Sequence, residues 1–155
     1  MELTVAEAGR SLLPSLLRIE NASFTCPWSE ESFLAALDAD AVSVPVCFDE
    51  AGSVVGFACL MIVADEGELL NIAVDPARRR MGTARILMDA CLARCREKGV
   101  STLYLEVRES NAPARNLYRS FRFREIGTRR NYYEKPRENA ILMRLALNPE
   151  AEGLS

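Results

Sequence analysis

Apolar residues recur along this chain at two different spacings. In residues 12–20, 30–37 and 84–95 they return every three or four positions, the period of a helix with one buried face. Short apolar or alternating runs predict strands instead, at residues 42–49, 53–64, 68–74, 102–107, 123–133 and 140–147. The pattern therefore predicts a largely helical first third, followed by strands and helices in alternation.

Residues with special backbone roles mark the ends of these elements. Ser29 and Asn111 are typical helix N-caps, and Pro113 suits a first helical turn, where its missing N–H costs nothing. Gly52 predicts a hairpin turn between the first two strands, and Gly99 predicts a helix end. The succession of strand, helix and strand favours a parallel or mixed sheet.

The length of 155 residues suits one compact domain. We expect a single domain over residues 1–147 and a disordered tail over residues 148–155. The expected class is mixed α/β (α+β), a sheet of six or seven strands with helices on both faces. No run approaches about 20 apolar residues, and residues 1–10 lack the basic start of a secretory signal. We therefore expect a cytoplasmic protein without membrane contact, as a monomer or weak dimer.

Charge and residue content exclude several classes of function. The formal net charge of -3 and the pI near 5.2 argue against direct nucleic-acid binding and favour a basic partner. Because the chain has no histidine, it cannot carry a Ser/His/Asp or Cys/His catalytic site. Its five cysteines form no CxxC pair, so we expect no metal; Cys91 and Cys95 are expected to be buried thiols on one helix.

Residues 71–84 join a strand to a helix through an arginine-rich turn. Unpaired N–H groups at a helix start and the positive end of the helix dipole bind diphosphates. Gly82 and Ala84 are small enough to let such a group approach, and nearby arginines add positive charge. Taken by itself, the same turn also fits an ordinary connection between two elements.

This turn resembles the coenzyme A motif of GNAT acetyltransferases: Gln or Arg, two residues, Gly, one residue, then Gly or Ala. Arg79, Gly82 and Ala84 fill those positions. The resemblance extends over nearly the whole chain and is strongest to the bacterial ribosomal-protein alanine N-acetyltransferases of the RimI type. The segments that carry it are CPWS (26–29), NIAVDP (71–76), LEVR (105–108) with SN (110–111), and RRNYY (129–133).

The resemblance implies a GNAT fold and acetyl-coenzyme A as co-substrate. It further implies acetyl transfer to the N-terminal α-amine of a basic protein or peptide, with the N-terminal alanine of a small-subunit ribosomal protein as the expected acceptor. The implied cofactor-binding residues are Ile72, Ala73 and Val74 for the acetyl and pantetheine part, the amides of Arg79, Arg80, Met81, Gly82, Thr83 and Ala84 for the pyrophosphate, and Asn111 for the pantetheine arm.

Direct transfer needs a neutral amine, a route for its proton and an acid for the departing thiolate. Glu106 is the candidate base because it lies in an otherwise apolar strand, where burial makes a carboxylate a better proton acceptor. The alternative is an ion pair with Arg108 or a surface arginine. Tyr118 lies two helical turns after Asn111, so both can face one ligand. A tyrosine there also fits the core, but the RimI-type pattern places the general acid at Tyr118.

A basic and aromatic patch precedes the last loop. Arg129, Arg130, Tyr132 and Tyr133 suit an extended peptide held by charge and stacking, and we assign them to substrate binding. The alternative is an alternating strand with the aromatic rings in the core and the arginines in water. Trp28 either lines the peptide site or anchors a loop over the core.

Arg122 departs from the family pattern, in which many relatives have glycine before the phenylalanine that follows the last helix. Glycine favours the tight turn at such a position, so the turn before Phe123 is doubtful in this chain.

Three functions remain open. The favoured one is an N-terminal protein acetyltransferase; the second acetylates a small amine such as a polyamine, amino acid or antibiotic, and residues 129–133 would then shape a pocket. The third is a non-enzymatic acetyl-coenzyme A binding or regulatory module. The presence of both Glu106 and Tyr118 argues against the third.

Overall fold

The computed structural model describes residues 2–147, and within this range it contains four α-helices and eight β-strands. The helices are α1 (Leu13–Ser23), α2 (Glu30–Asp38), α3 (Thr83–Glu97) and α4 (Ala112–Ser120). The strands are β1 (Thr4–Glu7), β2 (Val42–Ser43), β3 (Pro45–Phe48), β4 (Val54–Val63), β5 (Glu66–Val74), β6 (Thr102–Arg108), β7 (Arg124–Tyr133) and β8 (Glu138–Ala146). Their hydrogen-bonded order is β1-β3-β4-β5-β6-β8-β7, with β2 paired to β4.

The predicted mixed α/β class is confirmed, although the described part of the chain has eight strands where six or seven were expected. The differences are local. All four residues of β1 are exposed, so no apolar pattern marks that strand. The run predicted at residues 42–49 is divided into β2 and β3. The tail predicted from residue 148 lies outside the described residues.

The chain divides into two compact units. The first consists of the residues up to 61 together with residues 70–94, and the second of residues 62–69 together with those from 95 onward. The expectation of a single domain stays a prediction.

In the first unit, helices cover both faces of β4. Phe57 packs edge-on against Phe33 of α2, with 5.5 Å between ring centroids, in a buried cluster that also contains residues of α1. Gly56 faces the other way because neighbouring strand residues alternate. A Cβ at Gly56 would meet Thr83 and Leu87 of α3. The prediction of helices on both faces therefore holds in this unit.

In the second unit, the beginning of β5 pairs in parallel with β6, and β8 lies antiparallel between β6 and β7. Alternation along β6 gives this sheet two different faces. The side chains of Leu103, Leu105 and Val107 are buried, whereas those of Glu106 and Arg108 on the opposite face are half-buried. The second face therefore carries ionisable groups within reach of solvent.

Both predicted helix caps are present. The Ser29 hydroxyl accepts the N–H of Ser32 at 3.1 Å at the start of α2. The Asn111 side-chain oxygen accepts the N–H of Ala114 at 3.2 Å at the start of α4.

The tight turn after α4 forms although Arg122 takes the place of glycine. Arg122 has a φ of 73°, in the left-handed region. Its N–H donates to the carbonyl of Arg119 at 2.8 Å, and the N–H of Phe123 donates to the carbonyl of Tyr118 at 3.1 Å. These two bonds are those of a Schellman C-cap. The expectation that arginine would disfavour the tight turn was therefore wrong, because the hydrogen bonds of the cap hold a non-glycine residue in the left-handed conformation.

Cys91 and Cys95 are buried on α3, as predicted. Burial raises the pKa of Cys95 to about 11, which suppresses the reactive thiolate. Within residues 2–147, no three His, Cys, Asp or Glu side chains are grouped so that they could hold a metal ion. No α-helix in that range is both long and apolar enough to span a membrane.

Candidate functional site

Asp75 organises the turn that follows β5 in the first unit. Its carboxylate accepts the N–H of Ala77 at 3.0 Å and forms an ion pair with Arg18 at 2.9 Å. The hydrogen bond from Arg18 holds the pKa of Asp75 below its ordinary value. Arg78 is held in a similar way, because its guanidinium pairs with Asp49. Arg78, the first arginine of the turn, therefore stabilises the structure of the turn.

The remaining basic residues of the turn, Arg79 and Arg80, are exposed and lie just before α3. Arg80 and Gly82 have positive φ values of 66° and 81°. The carbonyl of Gly82 accepts the N–H of Ile86 at 3.1 Å, which is the first hydrogen bond of the helix. The amides of the first turn of α3 therefore have no partner within the helix.

Thr83, at the start of α3, presents a buried polar atom to this turn. The residue is 2% exposed, and its Oγ1 has no hydrogen-bond partner among the described residues. An unsatisfied buried hydroxyl is costly unless a ligand or water completes it. Together with the first-turn amides and two exposed arginines, this atom fits a diphosphate, so the turn suits the predicted cofactor.

The start of α3 approaches β4 closely because residue 56 is glycine. A Cβ at Gly56 would lie 2.9 Å from Cγ2 of Thr83 and 3.0 Å from the carbonyl oxygen of Ala73. Ala73 is buried, while its neighbours Ile72 and Val74 on β5 are half-buried. The contacts of these three residues with the cofactor, and those of Met81 and Ala84, stay predictions.

Trp28 anchors the loop between α1 and α2. Its ring is half-buried, with its centroid 5.2 Å from that of Phe33. Its backbone N–H donates to Oε2 of Glu20 at 2.8 Å. The anchoring role considered for Trp28 is therefore observed, while its contact with a peptide stays a prediction.

Glu106 lies in a cluster of polar side chains in the second unit. Its Oε1 is 3.5 Å from Nε of Arg129, and the two side chains are 20% and 55% exposed. The negative charge of Glu106 is also the main cause of a raised pKa at Tyr132. The ion pair with a surface arginine, left open by the sequence, is thus present. A carboxylate has about four acceptor sites, so these contacts leave room for an amine.

Glu68 belongs to the same cluster and was missed by the sequence analysis. It pairs with Tyr104 in the parallel register, which places it on the face of the sheet that carries Glu106. Burial raises the pKa of Glu68, and the charge of Glu106 raises it further. The available signal was an acidic residue in a mainly apolar strand, the same signal that identified Glu106.

Tyr118 and Asn111 lie in different environments on α4. Tyr118 is buried, and its ring packs edge-on against Phe123 with 5.8 Å between centroids. Asn111 is exposed, and its side-chain oxygen is occupied by the helix cap. A contact between Asn111 and the cofactor would therefore use its NH2 group. The proton-donating role of Tyr118 and the cofactor contact of Asn111 stay predictions.

Arg108 holds the loop between β7 and β8. Its guanidinium donates to the carbonyls of Glu134 at 2.7 Å and Pro136 at 2.9 Å, and pairs with Glu138 at 3.0 Å. It also lies 4.5 Å from the ring centroid of Tyr133. Arg108 is therefore committed to this loop and is not the partner of Glu106.

The aromatic residues of β7 are not in the core. Tyr132 is 49% exposed and Tyr133 is half-buried, so the alternative is wrong about the rings, although Arg129 and Arg130 are exposed as it expected. β7 is the last strand in the sheet order, and all its residues from Arg124 to Tyr132 are exposed, so both of its faces reach solvent. A register shift also lies between Arg129 and Tyr133, within which Asn131 has a φ of 53°. A bulge of this kind breaks the alternation of sides. Arg129, Arg130 and the two tyrosines remain candidates for substrate binding.

Comparison with known proteins agrees with this architecture. Residues 13–123 match the acetyltransferase (GNAT) family. A [ribosomal protein bS18]-alanine N-acetyltransferase of Haemophilus ducreyi is 39% identical over 135 residues, covering 85% of this chain and 92% of that protein. Its counterpart in Escherichia coli K12 is 37% identical over 147 residues, covering 94% of this chain and 98% of the relative.

Solved structures give the same result. The crystal structure of the ribosomal-protein-S18-alanine N-acetyltransferase from Escherichia coli superposes with a TM-score of 0.89 at 37% identity, covering 95% of each chain. The resemblance to GNAT enzymes, and to the RimI type among them, is thereby confirmed. The chain belongs to the GNAT family of acetyltransferases.

Proposed function

We propose that this protein transfers the acetyl group of acetyl-coenzyme A to the N-terminal α-amine of a protein, and that the acceptor is the N-terminal alanine of ribosomal protein bS18. The observation that carries the proposal is the similarity to bS18-alanine N-acetyltransferases over 94% of the chain. The formal net charge of -3 supports it, because a negatively charged protein attracts a basic acceptor.

The turn before α3 supports acetyl-coenzyme A as the acetyl donor. Its proposed ligands for the diphosphate are the first-turn amides of α3, the Thr83 hydroxyl, and the guanidinium groups of Arg79 and Arg80. Bound acetyl-coenzyme A would supply an activated thioester carbonyl to the reaction.

Glu106 is proposed to accept the proton of the incoming amine. An N-terminal amine has a pKa of about 7.7–8.0, so much of it arrives as an ammonium ion that cannot attack a carbonyl. Glu106 and Glu68 give their face of the sheet two carboxylates that favour such a cation. The Glu106–Arg129 pair is exposed on the arginine side, so an ammonium can compete with the guanidinium for the carboxylate.

Tyr118 is proposed to donate a proton to the departing thiolate. The ammonium first passes one proton through Glu106 to water, which leaves a neutral amine. The amine nitrogen then bonds to the carbonyl carbon, the carbon–sulfur bond breaks, the second proton of the nitrogen goes to Glu106, and the thiolate takes one from Tyr118. Exchange with water then restores both side chains. No covalent intermediate with the enzyme is required.

The test is acetyl transfer from isotope-labelled acetyl-coenzyme A to a peptide with the N-terminal sequence of bS18. The same peptide with a blocked N-terminus is the matched control. We expect label on the alanine nitrogen, located by tandem mass spectrometry, and none on the control.

Three results would contradict the proposal: label on lysine side chains alone, faster acetylation of small amines than of the peptide, or cofactor binding without turnover. Glu106→Gln and Tyr118→Phe test the assigned roles. Each is expected to lower kcat by at least about tenfold. Glu66→Gln, at an exposed position of β5, is the control that should keep full turnover.

A further inference from the structure

Glu20 of α1 is a buried carboxylate that the proposed reaction does not use. It is 1% exposed, and burial raises its pKa. Its two oxygens bind different partners: Oε2 accepts the backbone N–H of Trp28, and Oε1 accepts the side-chain NH2 of Asn71, both at 2.8 Å. A carboxylate is costly to bury, and donors this close offset that cost.

These two hydrogen bonds join parts of the first unit that are far apart in the sequence. Trp28 lies near the end of the loop of residues 24–29, here called the acceptor loop, and Asn71 lies on β5. Asn71 directly precedes Ile72, where the proposed cofactor-binding segment begins. One carboxylate therefore fixes the acceptor loop relative to that part of β5.

The acceptor loop has an apolar and accessible surface. Phe24 is 37% exposed, and Cys26 and Pro27 are exposed as well. The loop is held to the core by the Trp28 ring on Phe33 and by the bond from Trp28 to Glu20. Such a surface suits the small apolar side chain of an N-terminal alanine, provided that the loop keeps one conformation.

We propose that Glu20 is a positioning residue for the peptide acceptor, holding the acceptor loop in its binding conformation. This inference rests on the proposed function. Without Glu20, the loop populates other conformations, and the apparent affinity falls by the fraction that remains competent. The loss should therefore appear in KM for the peptide more than in kcat.

The experiment compares Glu20→Ala with Glu20→Gln, and uses Glu31→Ala, at an exposed position of α2, as the control. Glu20→Ala is expected to raise KM for the alanine peptide about tenfold, with kcat changed less than about threefold. Glu20→Gln should rescue KM, because its carbonyl oxygen accepts from Trp28 and its NH2 can donate to Asn71 once that amide rotates. Glu31→Ala should match the wild type.

A second readout reports on the loop without any acceptor. Trp28 is the only tryptophan, so its fluorescence comes from the acceptor loop alone. Acrylamide should quench it more strongly in Glu20→Ala than in the wild type, with Glu20→Gln close to the wild type. Asn71→Ala should increase quenching to an intermediate extent, and it carries the test if Glu20→Ala does not fold.

Unchanged KM and unchanged quenching in Glu20→Ala would overturn the inference, as would a failure of Glu20→Gln to restore both. The proposed function fails in a different way. If the wild type acetylates no peptide, that function is wrong, while increased quenching in Glu20→Ala alone would still support the positioning of the loop.

Discussion

Gly56→Ala should destabilise the fold and weaken cofactor binding together, because Gly56 lets β4 approach the start of α3. The new methyl group would lie 2.9 Å from Cγ2 of Thr83 and 3.0 Å from the carbonyl oxygen of Ala73. Carbon atoms in contact are normally about 3.5–4.0 Å apart. A third neighbour, Cδ1 of Leu87 at 3.2 Å, ends a flexible side chain and can move.

The other two contacts cannot relax as cheaply. One is a backbone carbonyl, and the other belongs to Thr83, a buried β-branched side chain with restricted χ1. Overpacking of this kind costs about 1–3 kcal/mol. For a chain of this length, about 2 kcal/mol corresponds to a fall in Tm of about 4–8 °C. The displaced Thr83 should also weaken acetyl-coenzyme A binding.

Gly127→Ala is the matched control, because Gly127 also lies in a strand. Its added Cβ would meet only Cδ1 of Leu142, at an ordinary 3.5 Å. We expect this variant to gain up to about 1 kcal/mol, since alanine reduces the entropy of the unfolded chain. Calorimetric melting and titration with acetyl-coenzyme A measure both effects. The packing argument is refuted if Gly56→Ala melts with the wild type, or if both alanine variants lose equal stability.

Three further changes have definite expected results. Arg122→Gly should be more stable than Arg122→Ala by about 0.5–1 kcal/mol in urea unfolding. Both variants lose the arginine side chain, but only glycine adopts the φ of 73° without strain. Equal stability of the two variants would contradict this. Thr83→Val should stabilise the free protein by about 1 kcal/mol, because it removes a buried hydroxyl without a partner among the described residues. The same change should weaken acetyl-coenzyme A binding about tenfold. Unchanged affinity by calorimetry would exclude that hydroxyl as a ligand. The pKa of Glu20 is raised, so the folded protein binds the carboxyl proton of Glu20 more tightly than the unfolded chain does. The protonated Glu20 therefore contributes fully to the free energy of unfolding below the ordinary carboxyl pKa. This contribution declines as pH rises through the folded-state pKa. Urea unfolding from pH 4 upward should show that decline in the wild type but not in Glu20→Gln.

Local patterns in the sequence determined most of the elements. Ser29 and Asn111 cap α2 and α4 as predicted, and the apolar period of residues 84–95 corresponds to α3. These features depend on neighbours within one helical turn or one strand, so the sequence contains the information directly. The same holds for the turn of residues 79–84, because its glycine and arginines are adjacent in the chain.

Long-range contacts decided what the sequence could not. Glu20 and Asn71 are 51 positions apart, and no local pattern pairs them. The partner of Glu106 proved to be Arg129, because the register of β7 and β8 sets which arginine lies near it and Arg108 is held by the last loop.

Backbone conformation shows most clearly which features the sequence determined and which depended on tertiary structure. The sequence by itself determined the type and order of most elements, the position of the arginine-rich turn before α3, and the acidic residue in β6. Tertiary structure decided that Arg122 adopts a glycine-like conformation, and that Tyr132 is exposed because β7 is the last strand in the sheet order. The physical reason is that local propensities are weak, so hydrogen bonds and packing between distant segments override them wherever the two compete.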